Sequence, residues 1–256
     1  MKDQIGRHII VSDVPTKIVS VVPSITELLC ALVERNRIIG RTKFCIHPQP
    51  VVSNIAKIGG TKNIDIEAVK TLSPDLILAN KEENSKEQIE ELALNFPVYV
   101  SDVNDIPSCK FMIRDISKLT DKQTKAVSII AEIENIISMA NPSPRNCLYL
   151  IWSQPYMCAG NDTYISAMLE ATGFHNIINE ARYPEITIDQ INDLKPELIL
   201  LSSEPYPFKK KHAEALLAQL KYKPSIELVD GEMFSWYGVR TAYGLSYGRS
   251  LRKTIA

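Results

Sequence analysis

Residues 64–78 read IDIEAVKTLSPDLIL and residues 186–200 read ITIDQINDLKPELIL; the two align without a gap at a constant offset of 122. Ile64, Ile66, Leu72, Pro74, Leu76, Ile77 and Leu78 meet the same residue type in the second copy. Each copy predicts a short helix, a proline-marked turn and a buried strand, because proline cannot continue a helix and the apolar run behind it is strand-sized. Thr187 and Gln190 stand at capping-box spacing at the start of the second helix. One apolar run can align by accident. A helix, a turn proline, an acidic residue and a strand in one register argue instead for two lobes of similar topology.

Outward from the first copy, residues 17–22, 38–42, 76–79 and 98–100 read as strands and 86–94 as an amphipathic helix, which makes one doubly wound α/β lobe. Ser24, with Glu27 three positions on, reads as the cap of a helix whose apolar face is Ile25, Leu28, Leu29 and Leu32. Residues 106–139 keep helical spacing with a break marked at Thr120-Asp121, and Asn141-Pro142-Ser143-Pro144 stops the helix. Beyond it 147–152 and 198–201 read as strands and 164–172 as a helix. The expected division is 1–105 for an N-terminal α/β lobe, 106–140 for a helical connector and 141–256 for a C-terminal α/β lobe. A cleft between lobes is where a small ligand usually sits.

Composition narrows the function classes. The 256 residues are 45% hydrophobic and 23% charged, the make-up of an ordinary globular protein with enough apolar residues for a sizeable core. With 29 Lys plus Arg against 30 Asp plus Glu, the net charge of -1 creates no field that would gather phosphate backbones, so nucleic acid is not an expected partner. No apolar run approaches the roughly 20 residues of a membrane helix, so no membrane insertion is expected. Lys2 and Arg7 are followed only by the short run 9–11, so no export signal is read. The five cysteines contain no C-x-x-C pair and predict neither a disulfide framework nor a zinc site; they lean towards a reducing compartment and read best as buried small hydrophobes.

Several motifs fail on inspection. Gly244-Leu245-Ser246-Tyr247-Gly248 has the spacing of a nucleophile elbow, but the eight residues after it contain no Asp, Glu or His, so no serine hydrolase is read. There is no phosphate-binding glycine motif; Gly59-Gly60 is a tight turn. His8, His47, His175 and His212 lack metal-ligand spacing among themselves, but Cys45 and His47 lie two apart, which on an extended segment points both to one side, where a soft metal or a haem iron could be held.

Other residues carry more weight. The repeat places Glu67 and Asp189 at equivalent positions in the first turn of the two short helices. Either acid alone complements a helix dipole; the pair, one per lobe, also suits a two-fold symmetric basic partner. Residues 231–238 put Phe234, Trp236 and Tyr237 behind the strand at 226–229, at the kind of strand end where α/β ligand crevices form. Trp152, Tyr156, Tyr183, Tyr206 and Phe208 similarly follow strands or lie in loops of the second half. Such rings suit a large planar or macrocyclic ligand.

The segment Val19-Ser20-Val21-Val22-Pro23-Ser24-Ile25-Thr26-Glu27-Leu28-Leu29, then Gly59-Gly60, Ile66-Glu67 and Leu72-Ser73-Pro74-Asp75-Leu76-Ile77, and at the far end Gly231 and Arg240, resembles the helical-backbone substrate-binding proteins of ABC importers for cobalamin, haem and iron siderophores. The resemblance covers most of the chain. It implies an α/β fold of two Rossmann-like lobes with parallel sheets joined by a long backbone α-helix, ligand held between the lobes, and no bond-making chemistry or enzyme cofactor. It also implies an ABC permease as partner, docked through Glu67 and Asp189, with a small metal chelate (cobalamin, haem or a ferric siderophore) as transported ligand, and the protein acting as a monomer.

The implied ligand-binding set is Phe44, Asn80, Trp152, Tyr156, Tyr183, Glu232, Trp236, Tyr237 and Arg240, with Cys45 and His47 as metal ligands. Against the family's cobalamin receptors, ring positions fall on Phe44, Gly59 and Asn80, and an acidic and basic pair falls on Glu232 and Trp236; Lys43, Arg182 and Arg240 are the alternative contacts for ligand carboxylates. The family works outside the cytoplasmic membrane, so a periplasmic or extracytoplasmic site is implied, and the unread export signal leaves a cytoplasmic one open. The competing reading is a cytosolic enzyme or metallochaperone on the same scaffold, with Cys45 and His47 holding the metal of a cofactor.

Overall fold

In the computed structural model, which describes residues 1–140 and 143–255, the apolar runs form two five-stranded sheets. The chain divides into two units: Met1–Val103, Pro107–Glu132 and Trp236–Arg240 make the first; Asn104–Ile106, Ile133–Ser235 and Thr241–Ala256 make the second.

The first unit opens with β1 (Ile18–Ser20), α1 (Pro23–Leu32), β2 (Ile38–Arg41) and β3 (Ala56–Lys57). It continues with α2 (Ile66–Leu72), β4 (Leu76–Asn80), α3 (Lys86–Ala93), β5 (Val98–Ser101) and α4 (Ile106–Thr120). Its sheet is parallel throughout, in the order β3-β2-β1-β4-β5. All residues of β1, β4 and β5 are buried, as expected of parallel strands covered on both faces. Ile25, Leu28, Leu29 and Leu32 of α1 have no exposed surface, in line with the predicted apolar face.

The predicted cap of α1 is corrected. The N-cap is Val22, without a side-chain cap bond, and Pro23 occupies the first turn, where its fixed φ suits a helix start and its missing N–H costs nothing. Ser24 is already inside the helix and buried, and Glu27 pairs elsewhere.

The segment from 106 onward forms α4 and α5 (Gln123–Ser138), broken at Asp121, whose φ is 57°. The break falls at the expected Thr120-Asp121. Of the helix stop read at 141–144, Asn141 and Pro142 lie outside the described residues.

The second unit holds β6 (Arg145–Trp152), β7 (Met157–Cys158), α6 (Tyr164–Ala171), β8 (Phe174–Asn176), α7 (Ile188–Leu194) and β9 (Leu198–Ser202). After these come α8 (Lys210–Leu217), β10 (Ser225–Val229), α9 (Glu232–Ser235) and α10 (Arg240–Thr254), the last starting in the first unit. The order is β10-β9-β6-β7, with β8 paired to β6. All pairings are parallel except β6 with β7, because the four residues between them are too few for a crossover.

The repeat holds in three dimensions within each unit. Both bounds of α7 and of β9 lie 122 residues beyond those of α2 and β4. Asp65 caps α2 by accepting from the Ala68 amide at 3.0 Å, and Thr187 with Gln190 forms the predicted capping box on α7. Both helices end on a residue in the left-handed region, Ser73 (φ 49°) and Lys195 (φ 46°), one residue before the matching proline that forbids continuation. Glu67 and Asp189 are therefore presented alike, with side chains 81% and 87% exposed.

Candidate functional site

In parallel α/β sheets ligands meet the carboxyl ends of the strands, and the candidate residues can be followed there unit by unit. In the first unit β2 runs directly into Thr42, Lys43 and Phe44. The Phe44 ring is half exposed, with Lys43 Nζ 5.0 Å from its centroid. The loop after β3 approaches this ring through Gly60, whose added Cβ would sit 3.3 Å from Phe44 Cε2. Its neighbour Gly59 has φ +93°, and a Cβ there would strike the Asn63 carbonyl at 2.3 Å, so the tight turn is built for glycine.

Asn80, at the end of β4, is buried and fully engaged. Its Nδ2 donates to Ser101 O and Oγ at 3.2 and 3.0 Å, and its Oδ1 accepts from the Glu82 and Glu83 amides. Its role in the structure is to hold the loop that follows the strand.

Trp236, Tyr237 and Arg240 belong to the first unit despite their late place in the chain. Arg240 is buried and meets Glu27 bidentately, Nε to Oε2 and Nη2 to Oε1, both at 2.8 Å. Its guanidinium carbon lies 4.9 Å from the Trp236 ring centroid, and His47 meets the same indole edge-on at 5.5 Å. Burial, reinforced by the charge of Glu83, pushes the Tyr237 phenol well above its ordinary range. Glu27, the partner that organises this group, was read as a cap. A single charged residue in an otherwise uncharged helix was the available signal, since a buried carboxylate requires a cation.

Cys45 and His47 do not share one environment. Cys45 is fully buried with Thr26 Oγ1 and Thr42 Oγ1 each 3.1 Å from its sulfur, and burial pushes its thiol up, whereas a metal ligand must be the thiolate. Among the described residues no group of three or more His, Cys, Asp or Glu is placed to hold a metal ion.

In the second unit β6 ends on Trp152, 40% exposed, whose ring stands edge-on to Tyr206 at 5.6 Å. Tyr206 continues to Phe208 at 4.8 Å, and its hydroxyl lies 3.3 Å from His212 Nε2. His212 Nδ1 accepts the Lys209 amide at 2.9 Å, so the ring proton sits on Nε2 and is donated to the Tyr206 oxygen. That leaves the phenol's own proton for a further acceptor. His212 was missed as a site residue because its link to Tyr206 passes through a turn, where no periodicity announces it.

Tyr156 and Tyr183 are half-buried, the latter under the Arg182 guanidinium at 5.6 Å. Arg182 also reaches Asn104 Oδ1 at 3.3 Å and Asp162 at 3.8 Å. Glu232 opens α9, its amide donating to Asp230 Oδ1 at 3.1 Å. Phe234 is instead core, packed between Tyr149 and Tyr247. The exposed acids Glu67 and Asp189 differ in company: Glu67 is 2.7 Å from Lys70 Nζ, Asp189 is 3.8 Å from Lys221 Nζ.

Known proteins resemble this chain over most of its length. The vitamin B12-binding protein of Yersinia pestis (strain Pestoides F) is 22% identical over 194 residues, covering 73% of this chain and 69% of the relative. Among solved structures, the periplasmic haem-binding protein BhuT in complex with two haems superposes with a TM-score of 0.81 at 20% identity, over 94% of this chain and 99% of that one. The periplasmic vitamin B12-binding protein BtuF of Vibrio cholerae does so with 0.77 at 18% identity, over 94% and 98%. These likenesses support the fold of two α/β lobes. The profile of the periplasmic binding protein family matches residues 18–223, and the chain belongs to that family.

Proposed function

We propose that this chain is the substrate-binding component of an ABC importer, that it takes a large metal-chelate ligand of the cobalamin, haem or ferric-siderophore class, and that it delivers the ligand to a permease outside the cytoplasmic membrane. The observation that carries the reading is the family match over residues 18–223. The names of the relatives, vitamin B12-binding and haem-binding proteins, support the ligand class. So do the flat side chains at strand ends, Phe44 in the first unit and the Trp152, Tyr206 pair in the second.

Arg240 is engaged by Glu27, and the cations assigned to ligand carboxylates in this reading are Lys43, beside Phe44, and Arg182, beside Tyr183 and in reach of Asp162. Binding in this reading breaks and makes no covalent bond, and the protein acts as a monomer. Glu67 and Asp189, equivalent in register and exposed, are the contacts offered to the permease.

Titrating the purified chain with cyanocobalamin, haemin and a ferric catecholate tests the reading through tryptophan fluorescence. Quenching at submicromolar concentration by one of them is expected, and Trp152→Phe should remove most of it, since Trp236 is buried against Arg240. A flat response to all three overturns the ligand class.

A further inference from the structure

The sheet of the first unit runs β3-β2-β1-β4-β5, so the chain leaves β1 towards β2 on one side and leaves β4 towards β5 on the other. Right-handed crossovers then place α1 and α3 on opposite faces, and the crevice of such a sheet opens outside the carboxyl ends of β1 and β4. The residues that follow β4 there are Lys81, Glu82, Glu83 and Asn84.

This turn is fixed from several sides. Asn84 Oδ1 accepts from the Asn80 amide at 2.9 Å, and Asn84 Nδ2 donates to Val21 O, behind β1, at 3.1 Å and to Thr61 O, behind β3, at 3.0 Å. Lys81 Nζ pairs with Asp102 at 2.7 Å. Lys62 Nζ donates to the Glu82 carbonyl and, at 3.4 Å, to the Asn84 carbonyl. Glu83 is held through its amide, and its carboxylate has no hydrogen bond or ion pair among the described residues.

Two observations set Glu83 apart from an ordinary surface acid. It is exposed, and yet burial pushes its carboxyl above the ordinary range, with only the charge of Lys62 opposing. Its charge also reaches the buried Tyr237 phenol and helps push that group up. An open side chain that protein crowds enough to cost it solvation, presented on a fixed turn without a partner, is one that a bound molecule completes.

Lys43 follows β2, on the other side of β1, so the first unit flanks the crevice with a cation and an anion whose strands lie about 10 Å apart. A ligand edge made of apolar or anionic groups would leave Glu83 desolvated and unpaired, whereas an edge carrying amide or ammonium donors would pair it.

We infer that Glu83 selects the ligand: it accepts hydrogen bonds from amide or ammonium groups on the periphery of the chelate and discriminates against chelates whose periphery is apolar or anionic. The inference rests on the proposed ligand class and narrows it by the charge of the periphery, not by the metal.

Calorimetric titration of the full chain and of Glu83→Gln tests it with cyanocobalamin, whose corrin carries amides, a ferric trihydroxamate bearing an ammonium group, haemin, and a ferric catecholate. The unmodified chain should bind one of the first two more tightly than either of the last two. Glu83→Gln should weaken that binding about tenfold and tighten the anionic probes by a similar factor, with the urea midpoint unchanged because no protein group loses a partner. A preference of the unmodified chain for haemin or the catecholate, or the same ratio of affinities in both proteins, overturns selection by Glu83 and leaves the ligand class standing. A lower urea midpoint with an unchanged ratio marks a structural acid and likewise overturns it. Binding of none of the probes by the unmodified chain removes the ligand class and the selection together.

Discussion

Glu27 and Arg240 stand 213 residues apart in sequence and meet through two charge-assisted hydrogen bonds of 2.8 Å, with only 10% and 8% of their side chains exposed. The pair binds the 236–240 segment to α1 within the first unit and holds the guanidinium beneath Trp236. Removing one partner leaves a buried charge uncompensated, so Glu27→Gln or Arg240→Met should each lower unfolding stability by about 3 kcal/mol. Replacing both by apolar residues of similar size should recover most of that loss. Urea unfolding followed by circular dichroism measures all three; single variants costing no more than an exposed pair would show that the interaction is not desolvated as described.

Glu67→Ala and Asp189→Ala should act on delivery alone. Both side chains are more than four-fifths exposed, and their pairs with Lys70 and Lys221 are surface pairs of small value, so melting temperature and ligand affinity should not move. Uptake of the bound ligand by cells should fall strongly for each variant and further for the double variant. Uptake equal to that of the unmodified chain would end the assignment of these acids to the permease.

What could be read in advance follows the range of the interactions involved. The α2–β4 and α7–β9 pairs were legible because cap, apolar face, turn proline and strand all lie within 15 residues. β3, β7 and β8 were not, because each is only two or three residues long and is defined by the strand beside it. Ser24 shows a local rule overruled by its neighbour, since Pro23 starts the helix before the serine can cap it. Among the candidate site residues, Trp152 was legible as a ring behind a strand and Phe44 only through the family resemblance, while the engagement of Asn80 with Ser101 and of Arg240 with Glu27 depends on distant residues that no local pattern names.

The G-x-S-x-G stretch inside α10 makes a packing prediction. A Cβ on Gly244 would stand 2.0 Å from the Met233 carbonyl and 2.8 Å from Met168 Cε, whereas Ser246 is exposed. Gly244→Ala should therefore destabilise the chain by about 2 kcal/mol through overpacking, and Ser246→Ala should be silent in stability and ligand binding. The reverse pattern, a tolerated Gly244→Ala with an impaired Ser246→Ala, would mean that the serine has a role the packing does not show.

The buried thiols set an alkaline limit. Burial, aided by the charge of Glu27, pushes Cys30 up to about 11, and burial with the charge of Glu180 pushes Cys158 up to about 12, against an ordinary 9.0. Burial raises Cys45 and Cys147 in the same direction. A folded-state value above the unfolded one means the native chain holds these protons more tightly, so their contribution is complete below pH about 9 and is lost as pH climbs through 11 and 12. The urea midpoint should hold up to pH about 9 and then fall steadily, and iodoacetamide at pH about 8.5 should label Cys45, Cys147 and Cys158 only after urea is added. A midpoint that stays level between pH about 9 and 11, or rapid labelling of the native chain, would show that these sulfurs are not enclosed as the packing requires.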